Sequence, residues 1–521
     1  MENLIHGKSQ QKKVVCIEPG DEGTAELFVQ GEDGAISSVF IPYRLWCLSN
    51  ENLNGGFQKL DGNLHYKFGN QFETKKDFYQ SLKKWKNKDT YTIKNPQENL
   101  MTKDGICYYR DLELKDLSVL SFDIETTGLN PEAPDARTIL ISNTFRRNNC
   151  DSTLKVLFSY DQFDNEAAML EHWASWVKLV DPSVITNHNV FGFDLNYLIK
   201  RAEITGAKLR MGRDDSELTQ ANYTSKFRID GSRDMEYFNV RCYGREIIDT
   251  YFLSIRHDVV AKKYENYKLK SIIKAEGLEK ADRTFYDASL IRHNYKDPVE
   301  FEKIKTYCMD DSDDALALFD LMAPPFFYLT QSTTRGFQHV VQSATGALIN
   351  GMLVRSYLQD KHSIPKASEL EKLEGGISFG IPGVYKNVKK WDLKSAYPSQ
   401  ILRFKLFDKN KDPKGHFYKL VKHFTEERFY LKKMSKETGD PKWEARDRSG
   451  KILINSAYGT CSTNGLNFNS PILASRITLE TRNVIDMALK WSSGKDRTYW
   501  IELFKETAGG NTGEDEEFEV L

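Results

Sequence analysis

Cysteine is scarce in this chain, and long apolar runs are absent. Its 521 residues include seven cysteines, at positions 16, 47, 107, 150, 242, 308 and 461. They form no CxxC pair, and the chain has no His-rich segment. This pattern excludes a disulfide framework and a zinc finger, and it favours a reducing compartment. No apolar run approaches the roughly 18 residues of a membrane span, and the start, MENLIHGKSQQKK, lacks the apolar core of a signal peptide. We therefore predict a cytoplasmic protein with no membrane partner.

Net charge is also nearly absent. Lys and Arg total 73 and Asp and Glu total 74, which gives a formal charge of −1. Any nucleic-acid-binding function must therefore rest on local clusters of charge. Hydrophobic residues make up 40% of the chain, enough for cores of ordinary size. The length predicts about three or four domains.

The first 200 residues or so change from a β-rich pattern to one in which strands alternate with helices. Residues 12–47 alternate apolar and polar positions around Gly and Asp turns, which predicts a β-rich N-terminal unit. Strand-like runs follow at 117–124 and 138–145, then a helical pattern at 167–179 and a strand–turn–helix unit at 183–201. Strands that alternate with helices predict an α/β sheet covered on both faces.

The remaining residues are mainly helical. Residues 205–245, rich in Gly, Arg and Asp, predict an irregular insertion or hairpin, and a helical pattern returns from 269 to about 321. A further helix is predicted at 343–358. Residues 416–437 and 442–459 predict two helices hinged at a Gly-Asp-Pro turn.

Acidic side chains occur at three places where the predicted elements could bring them together. Asp123 and Glu125 end an apolar strand, and period-two alternation places both on one face, pointing into solvent at the end of the strand. Asp194 lies where the next helix starts. Tyr307 and Asp311 are four residues apart on a helix and share a face. Alone, each piece is more often a solvated polar surface.

In this order, the motifs DIE, NxxxFD and YxxxD resemble those of the DEDD exonucleases that have a Tyr in the last motif. Phosphodiester hydrolysis with two metal ions needs hard oxygen ligands from several elements. The resemblance implies that two Mg²⁺ (or Mn²⁺) ions are held by Asp123, Glu125, Asp194 and Asp311. It also implies that Tyr307 orients the attacking water.

A second set of motifs lies downstream. Glu374-Gly-Gly, then DLKSAYPS from Asp392, then KILINSAYG from Lys451 resemble family B DNA polymerases, and the likeness extends from about residue 113 to about 490. The exonuclease precedes the polymerase, as in that family. The resemblance implies a multidomain α/β fold with an RNase H-like exonuclease domain, a partial α+β palm and short helical-hairpin fingers.

The resemblance also assigns roles in nucleotide addition. Asp392, at the end of a predicted strand VKKWD, would bind the metals, and Tyr397 would exclude a ribose 2′-OH from the dNTP site. The remaining nucleotide-binding residues are Ser395, Arg428, Lys432, Lys451, Asn455 and Tyr458. Residues implied to contact DNA are Asn189, Phe193, Gly375 and Gly376. Residues 384–436 hold fifteen Lys or Arg against five Asp or Glu, a surface suited to phosphates.

Three departures from the family pattern stand out. Only 58 residues separate Asp392 from Lys451, so the fingers would be a bare hairpin. Ala396 replaces the usual Leu, which could loosen nucleotide selection. No DTDS-like pair follows Gly459, and one Asp cannot hold two divalent ions.

We therefore expect the N-terminal part of a family B DNA-directed DNA polymerase with a 3′→5′ proofreading exonuclease. Its expected partners are primer–template DNA, single-stranded 3′ ends, a sliding clamp, and a second polypeptide with the missing motif and the thumb. Compact fingers suit a bacteriophage or other viral enzyme in the host cytoplasm. The predicted domains are a β-rich unit (1–112), the exonuclease (113–330), the first part of the palm (331–405), the fingers (406–459) and a palm continuation (460–521).

Several alternatives stay open at this point. A split gene, an interrupted gene and a truncation all fit the sequence. A non-polymerising DNA-binding subunit and a stand-alone exonuclease with a relic polymerase region are the rival functions. The intact motif residues from 392 onward argue against a relic polymerase region, because mutation without selection would not retain all of them.

Overall fold

The computed structural model describes residues 1–53, 58–229, 233–369, 375–376, 383–388, 390, 392–393, 395–496 and 498–502. All seven cysteines are free thiols. Among the described residues, no helix combines the length and the apolar character needed to cross a membrane.

The N-terminal unit contains two antiparallel sheets, as the alternating pattern predicts. One has the order β1-β2-β3 and the other the order β5-β6-β4-β7. Two helices, α2 and α3, pack against them. The elements are α1 (Glu2–His6), β1 (Val14–Pro19), β2 (Thr24–Gln30), β3 (Ile36–Pro42), β4 (Leu45–Ser49), β5 (Gln58–Lys59), β6 (Phe68–Phe72), α2 (Lys75–Lys84), β7 (Thr90–Tyr91) and α3 (Pro96–Asp104).

The central unit is built on a mixed five-stranded sheet of order β10-β9-β8-β11-β14. The strands β8, β11 and β14 are parallel, whereas β9 and β10 are antiparallel to their neighbours. The elements are β8 (Val119–Thr126), β9 (Thr138–Arg146), β10 (Thr153–Ser159), α4 (Glu166–Val180), β11 (Val184–Asn187), α5 (Asp194–Thr205), β12 (Thr219–Arg228), β13 (Asp234–Arg241), β14 (Glu246–Asp249), α6 (Thr250–Ala261), α7 (Leu269–Glu276), α8 (Ala288–Asn294), α9 (Pro298–Met322) and α10 (Pro324–Thr330).

Helices cover both faces of this sheet, as predicted. Phe122 of β8 packs on Trp173 of α4, with ring centroids 5.3 Å apart. On the other face α9 lies across β8 and β9, and the Ser142 hydroxyl donates to the Cys308 carbonyl at 2.7 Å. Because β8 is central and covered on both sides, six of its eight residues are buried, although four of the eight are polar. The predicted insertion at 205–245 contains the hairpin β12–β13.

The C-terminal part is mainly helical where it is described. The predicted hinged pair is confirmed as α14 and α15, which pack on each other. Gly439 ends α14 with a φ of 68°, and the Asp440 side chain caps α15 by accepting from the Lys442 N–H at 3.0 Å. The elements are α11 (Phe337–Gln342), α12 (Thr345–Gln359), α13 (Ala396–Phe404), α14 (His416–Thr438), α15 (Pro441–Asn455), α16 (Ala457–Ser462) and α17 (Pro471–Ser493).

The predicted strand VKKWD, which ends at Asp392, is only partly described. Residues 389 and 391 lie outside the described residues, and the described positions 388, 390 and 392 are not in a strand.

A buried arginine of α12 forms hydrogen bonds with the first helix of the chain. Arg355 of α12 is fully buried. Its guanidinium donates to Leu4 O (3.3 Å), Ile5 O (2.5 Å), Ser332 O (2.8 Å), Thr333 O (3.2 Å) and Cys107 Sγ (3.0 Å). These acceptors pair with both terminal nitrogens of a charged group that would otherwise be costly to bury, whereas Nε has no hydrogen-bond partner in the described structure.

Candidate active site

The four predicted acidic ligands converge on one cleft. Asp123 and Glu125 come from β8, Asp194 from the first turn of α5, and Asp311 from α9. All four, together with Tyr307, line an open cleft of about 420 Å³. The prediction that the β8 pair points into solvent is wrong: Glu125 is 9% exposed and Asp123 is half-buried. The reason is that α9 lies across the face of the sheet that carries them.

The loop between β11 and α5 is held by a buried carboxylate. Asp249 accepts from the Asn189 N–H at 2.8 Å and the Phe191 N–H at 3.3 Å. A Cβ at Gly192 would lie 2.1 Å from the Asn189 Oδ1, so a larger residue there would displace the Asn189 side chain. This arrangement fixes the point at which α5 starts and therefore the position of Asp194. Asn189, at a φ of 68°, and Phe193 also line the cleft.

A lysine contacts the predicted water-orienting tyrosine. The Lys270 amine, from α7, hydrogen-bonds to the Tyr307 hydroxyl and lies 3.9 Å from the centre of its ring. The sequence prediction missed this residue. Lys270 is 37 positions from Tyr307 in the chain, and it has no acidic neighbour that would mark it.

The acidic run that contains Asp311 is buried, so it is not a solvated helix face. Arg283, with a side chain only 1% exposed, bridges Asp311 and Asp314, with 2.7 Å between its Nε and the Asp314 Oδ2. Asp313 is held by Lys155 and Lys280. These cations come from a strand and from a loop, and the sequence prediction missed all three.

The electrostatics of the cleft favour a bound cation. Burial raises the pKa of the Asp123, Glu125, Asp194 and Asp311 carboxyls, and repulsion from neighbouring carboxylates raises the first three further. A divalent ion would offset both effects. The oxygen donors suit a hard ion such as Mg²⁺. Oxygens of Asp123 and Glu125 also lie within 4.8 Å of each other and of the Cys308 sulfur.

We expect Arg283→Met to destabilise the central unit strongly. The change leaves two carboxyls buried without their cation, which should lower the free energy of unfolding by about 3–5 kcal/mol. For a unit of this size, the midpoint of thermal unfolding should fall by about 6–20 °C. Differential scanning calorimetry measures the midpoint.

The matched control is Arg292→Ala, which breaks a pair with Asp135 whose side chains are 57% and 58% exposed. It should leave the midpoint unchanged within error. Equal midpoints for the two variants would contradict a stabilising role for the buried bridge.

The predicted nucleotide-binding residues are only partly brought together. The rings of Tyr397 (α13) and Tyr458 (α16) lie 4.8 Å apart between centroids. Ser395 precedes α13 with a φ of 51°. The Gly375 carbonyl accepts from Arg482 of α17 at 2.9 Å, a partner that the sequence did not suggest. Gly376 lies next to it, Glu374 lies outside the described residues, and Asp392 is exposed.

The hairpin that the sequence predicts to form the fingers differs from the prediction in two details. Arg428 does not extend freely beside Lys432: its Nε donates to Asp447 Oδ1 at 2.7 Å, and both side chains are nearly buried. The predicted single helix 442–459 breaks after Asn455, where the Ser456 hydroxyl donates to the Ile452 carbonyl at 2.7 Å. Lys432, Lys451 and Asn455 are exposed, and Lys451 lies in the second half of α15.

Comparison with known proteins gives a consistent result. Residues 74–272 match the family "DNA polymerase family B, exonuclease domain". A DNA polymerase of Thermococcus sp. (strain 9oN-7) is 25% identical over 411 residues, covering 72% of this chain and 51% of its own length. That of Thermococcus gorgonarius is 27% identical over 404 residues, covering 71% and 50%. The chain thus spans about half the length of these relatives.

A solved structure shows the same fold. The family B DNA polymerase from the hyperthermophilic archaeon Pyrobaculum calidifontis matches with a TM-score of 0.74 at 17% identity, covering 92% of this chain and 71% of that one. The chain therefore has the fold of a family B DNA polymerase, and its residues 74–272 match the exonuclease domain of that family.

Proposed function

We propose that the cleft is the active site of a metal-dependent 3′→5′ exonuclease that proofreads for a family B DNA-directed DNA polymerase. The observation that supports it is the convergence of four carboxylates and Tyr307, from β8, α5 and α9, in one cleft. Burial sets these groups apart from ordinary surface acids.

Asp123, Glu125, Asp194 and Asp311 would hold two divalent ions, Mg²⁺ or Mn²⁺. When bound, such ions would supply the activation of the attacking water and the stabilisation of the departing 3′ oxygen. The Tyr307 hydroxyl holds the attacking water, and the Lys270 amine fixes the position of that hydroxyl. Asn189 and Phe193 contact the terminal nucleotides of a single-stranded 3′ end, since both line the cleft.

The second part of the proposal concerns nucleotide addition. Asp392 would bind metal, Tyr397 and Tyr458 would form the floor beneath the sugar and the nascent pair, and Lys432 and Lys451 would bind the triphosphate. Ser395, Arg428 and Asn455 complete the proposed set. Arg428 would first have to exchange Asp447 for phosphate. Because one carboxylate cannot hold two ions, the activity requires a further acidic pair beyond those identified in these residues.

The direct test is digestion of a 5′-labelled single strand with Mg²⁺ and after its removal by EDTA. Degradation from the 3′ end that requires the ion is expected. Tyr307→Phe should lower kcat by about 10- to 100-fold, because a positioning group is lost but no metal ligand. The Mg²⁺ concentration for half-maximal rate should stay the same.

A neighbouring tyrosine provides the control. Tyr286, whose ring centroid is 6.4 Å from that of Tyr307, donates to Glu300 at 2.9 Å and is not among the described residues that line the cleft. Tyr286→Phe should therefore digest DNA at nearly the parental rate. Metal-independent digestion, or 5′→3′ polarity, would contradict the proposed exonuclease.

A further inference from the structure

The outward side of α2 and the turn that follows it carry lysines around a tyrosine. We call this surface, formed by Lys76, Tyr79, Lys83, Lys84 and Lys86, the lysine face; all five side chains are exposed. Residues 75–88 contain six Lys and one Asp, a local charge of +5 in a chain whose net charge is −1. Positions 76, 79, 83 and 84 share one side of a helix, so their side chains form a continuous stripe.

The lysine face is part of a rigid element. On the inner side of α2, Phe78 is fully buried and Trp85 is 8% exposed. Both pack on Phe72 of β6, with ring centroids 5.4 and 5.8 Å apart. The Thr74 hydroxyl caps the helix by accepting from the Asp77 N–H at 3.1 Å. The cations are therefore presented at fixed spacing and do not belong to a flexible tail.

The charge of this face is not neutralised by neighbours. The lysines that flank it do form ion pairs, Lys75 with Asp21 at 2.6 Å and Lys88 with Glu51 at 2.8 Å. In the described part of the chain, no carboxylate lies within ion-pair distance of any lysine of the face itself. Tyr79, between the lysines, is 47% exposed.

We propose that the lysine face binds single-stranded DNA, at a site separate from the exonuclease cleft. Lysines that track a backbone, together with an exposed aromatic ring on which a base stacks, are the features of sequence-independent single-strand binding. From Lys76 to Lys84 the helix rises about 12 Å, a length that allows contacts with successive phosphates of one strand.

A membrane surface fits these residues less well. A helix that lies on a membrane inserts an apolar face between the lipids. The large apolar residues of α2 and its cap pack into the N-terminal unit: Phe78 and Trp85 are buried, and Leu82 is partly buried against the same core. What remains outside is cationic and polar around one tyrosine.

The proposal does not depend on the exonuclease. No residue of the lysine face lines the cleft that contains Asp123 and Asp311. Binding can therefore be measured in EDTA, where metal-dependent hydrolysis cannot occur.

The test is the binding of the full chain to a fluorescent oligothymidylate, followed by anisotropy over a series of salt concentrations. Lys76→Ala/Lys83→Ala/Lys84→Ala should weaken binding at least about tenfold at moderate salt. It should also reduce the slope of log K against log salt by about 2, since each single-strand phosphate contact contributes about 0.7. Tyr79→Ala should weaken binding about fivefold or more with little change in slope.

A second triple variant controls for total charge. Lys208, Lys226 and Lys303 are exposed lysines of the central unit, and their replacement by Ala removes the same charge. It should leave the slope unchanged. Hydrogen exchange should show DNA-dependent protection of 75–88 in the parent, and melting temperatures verify folding of every variant. Equal slopes for both triple variants, no protection of 75–88, or tighter binding to anionic vesicles than to the strand would overturn the proposal.

Discussion

A chain in which Asp123 and Glu125 are both replaced by alanine is expected to lose its exonuclease activity almost completely. Loss of a group that only supports a ligand lowers activity about 10- to 100-fold, so removal of two ligands should lower kcat at least about a thousandfold. Binding of single-stranded DNA in EDTA should be largely retained, because the phosphate-binding cations remain. Gel assays of a labelled strand and anisotropy measure the two effects separately.

The control removes the same number of carboxylates from the surface of the same unit. Asp164 and Glu203 are exposed, and Glu203 pairs only with Lys200, at 3.3 Å in the described structure. Asp164→Ala/Glu203→Ala should digest DNA at the parental rate. If the Asp123 and Glu125 variant digests DNA as fast as this control, the cleft is not the exonuclease site.

The second large effect concerns primer extension. These 521 residues alone are expected to add no nucleotides at any Mg²⁺ concentration, because only Asp392 of the acidic set is identified. Mixed with a polypeptide that carries a DTDS-like strand and the thumb, they should extend a primer. Asp392→Ala should abolish that extension, because the added polypeptide cannot replace a ligand from the opposite strand.

Asp164→Ala serves as the matched control, and it should support the same extension as the parent in the mixture. The preparation must also be free of host polymerase, which a reaction without the added polypeptide verifies. Robust template-directed synthesis by the chain alone would contradict the predicted requirement for a second acidic pair. An acid in the 514–519 cluster would then complete the site.

The proposed exonuclease ligands were identified from the resemblance of their motifs to the DEDD exonucleases, and local rules predict only which of the side chains share a face. Strand alternation places Asp123 and Glu125 on one face, and helical spacing does the same for Tyr307 and Asp311. The cations beside them could not be predicted in this way. Arg283 is 28 residues from Asp311 and belongs to a loop without a regular period, so only the folded chain brings the two together.

The same limit applies to the fingers. The turn residues Gly439 and Pro441 predict the hairpin, but they do not fix which side chains face each other across it. Arg428 and Asp447 are 19 residues apart and meet because α14 and α15 pack side by side. The sequence of α14 alone therefore predicts a free Arg428, whereas in the structure Arg428 forms an ion pair with Asp447.

The bonds of Arg355 have a consequence for synthesis on the ribosome. The carbonyls of Leu4 and Ile5, at the end of α1, receive their donor only from a residue about 350 positions later. At about 5–20 residues per second, that donor is added roughly 20–70 s after α1. The first helix must therefore wait, without this partner, until the whole central unit has been synthesised.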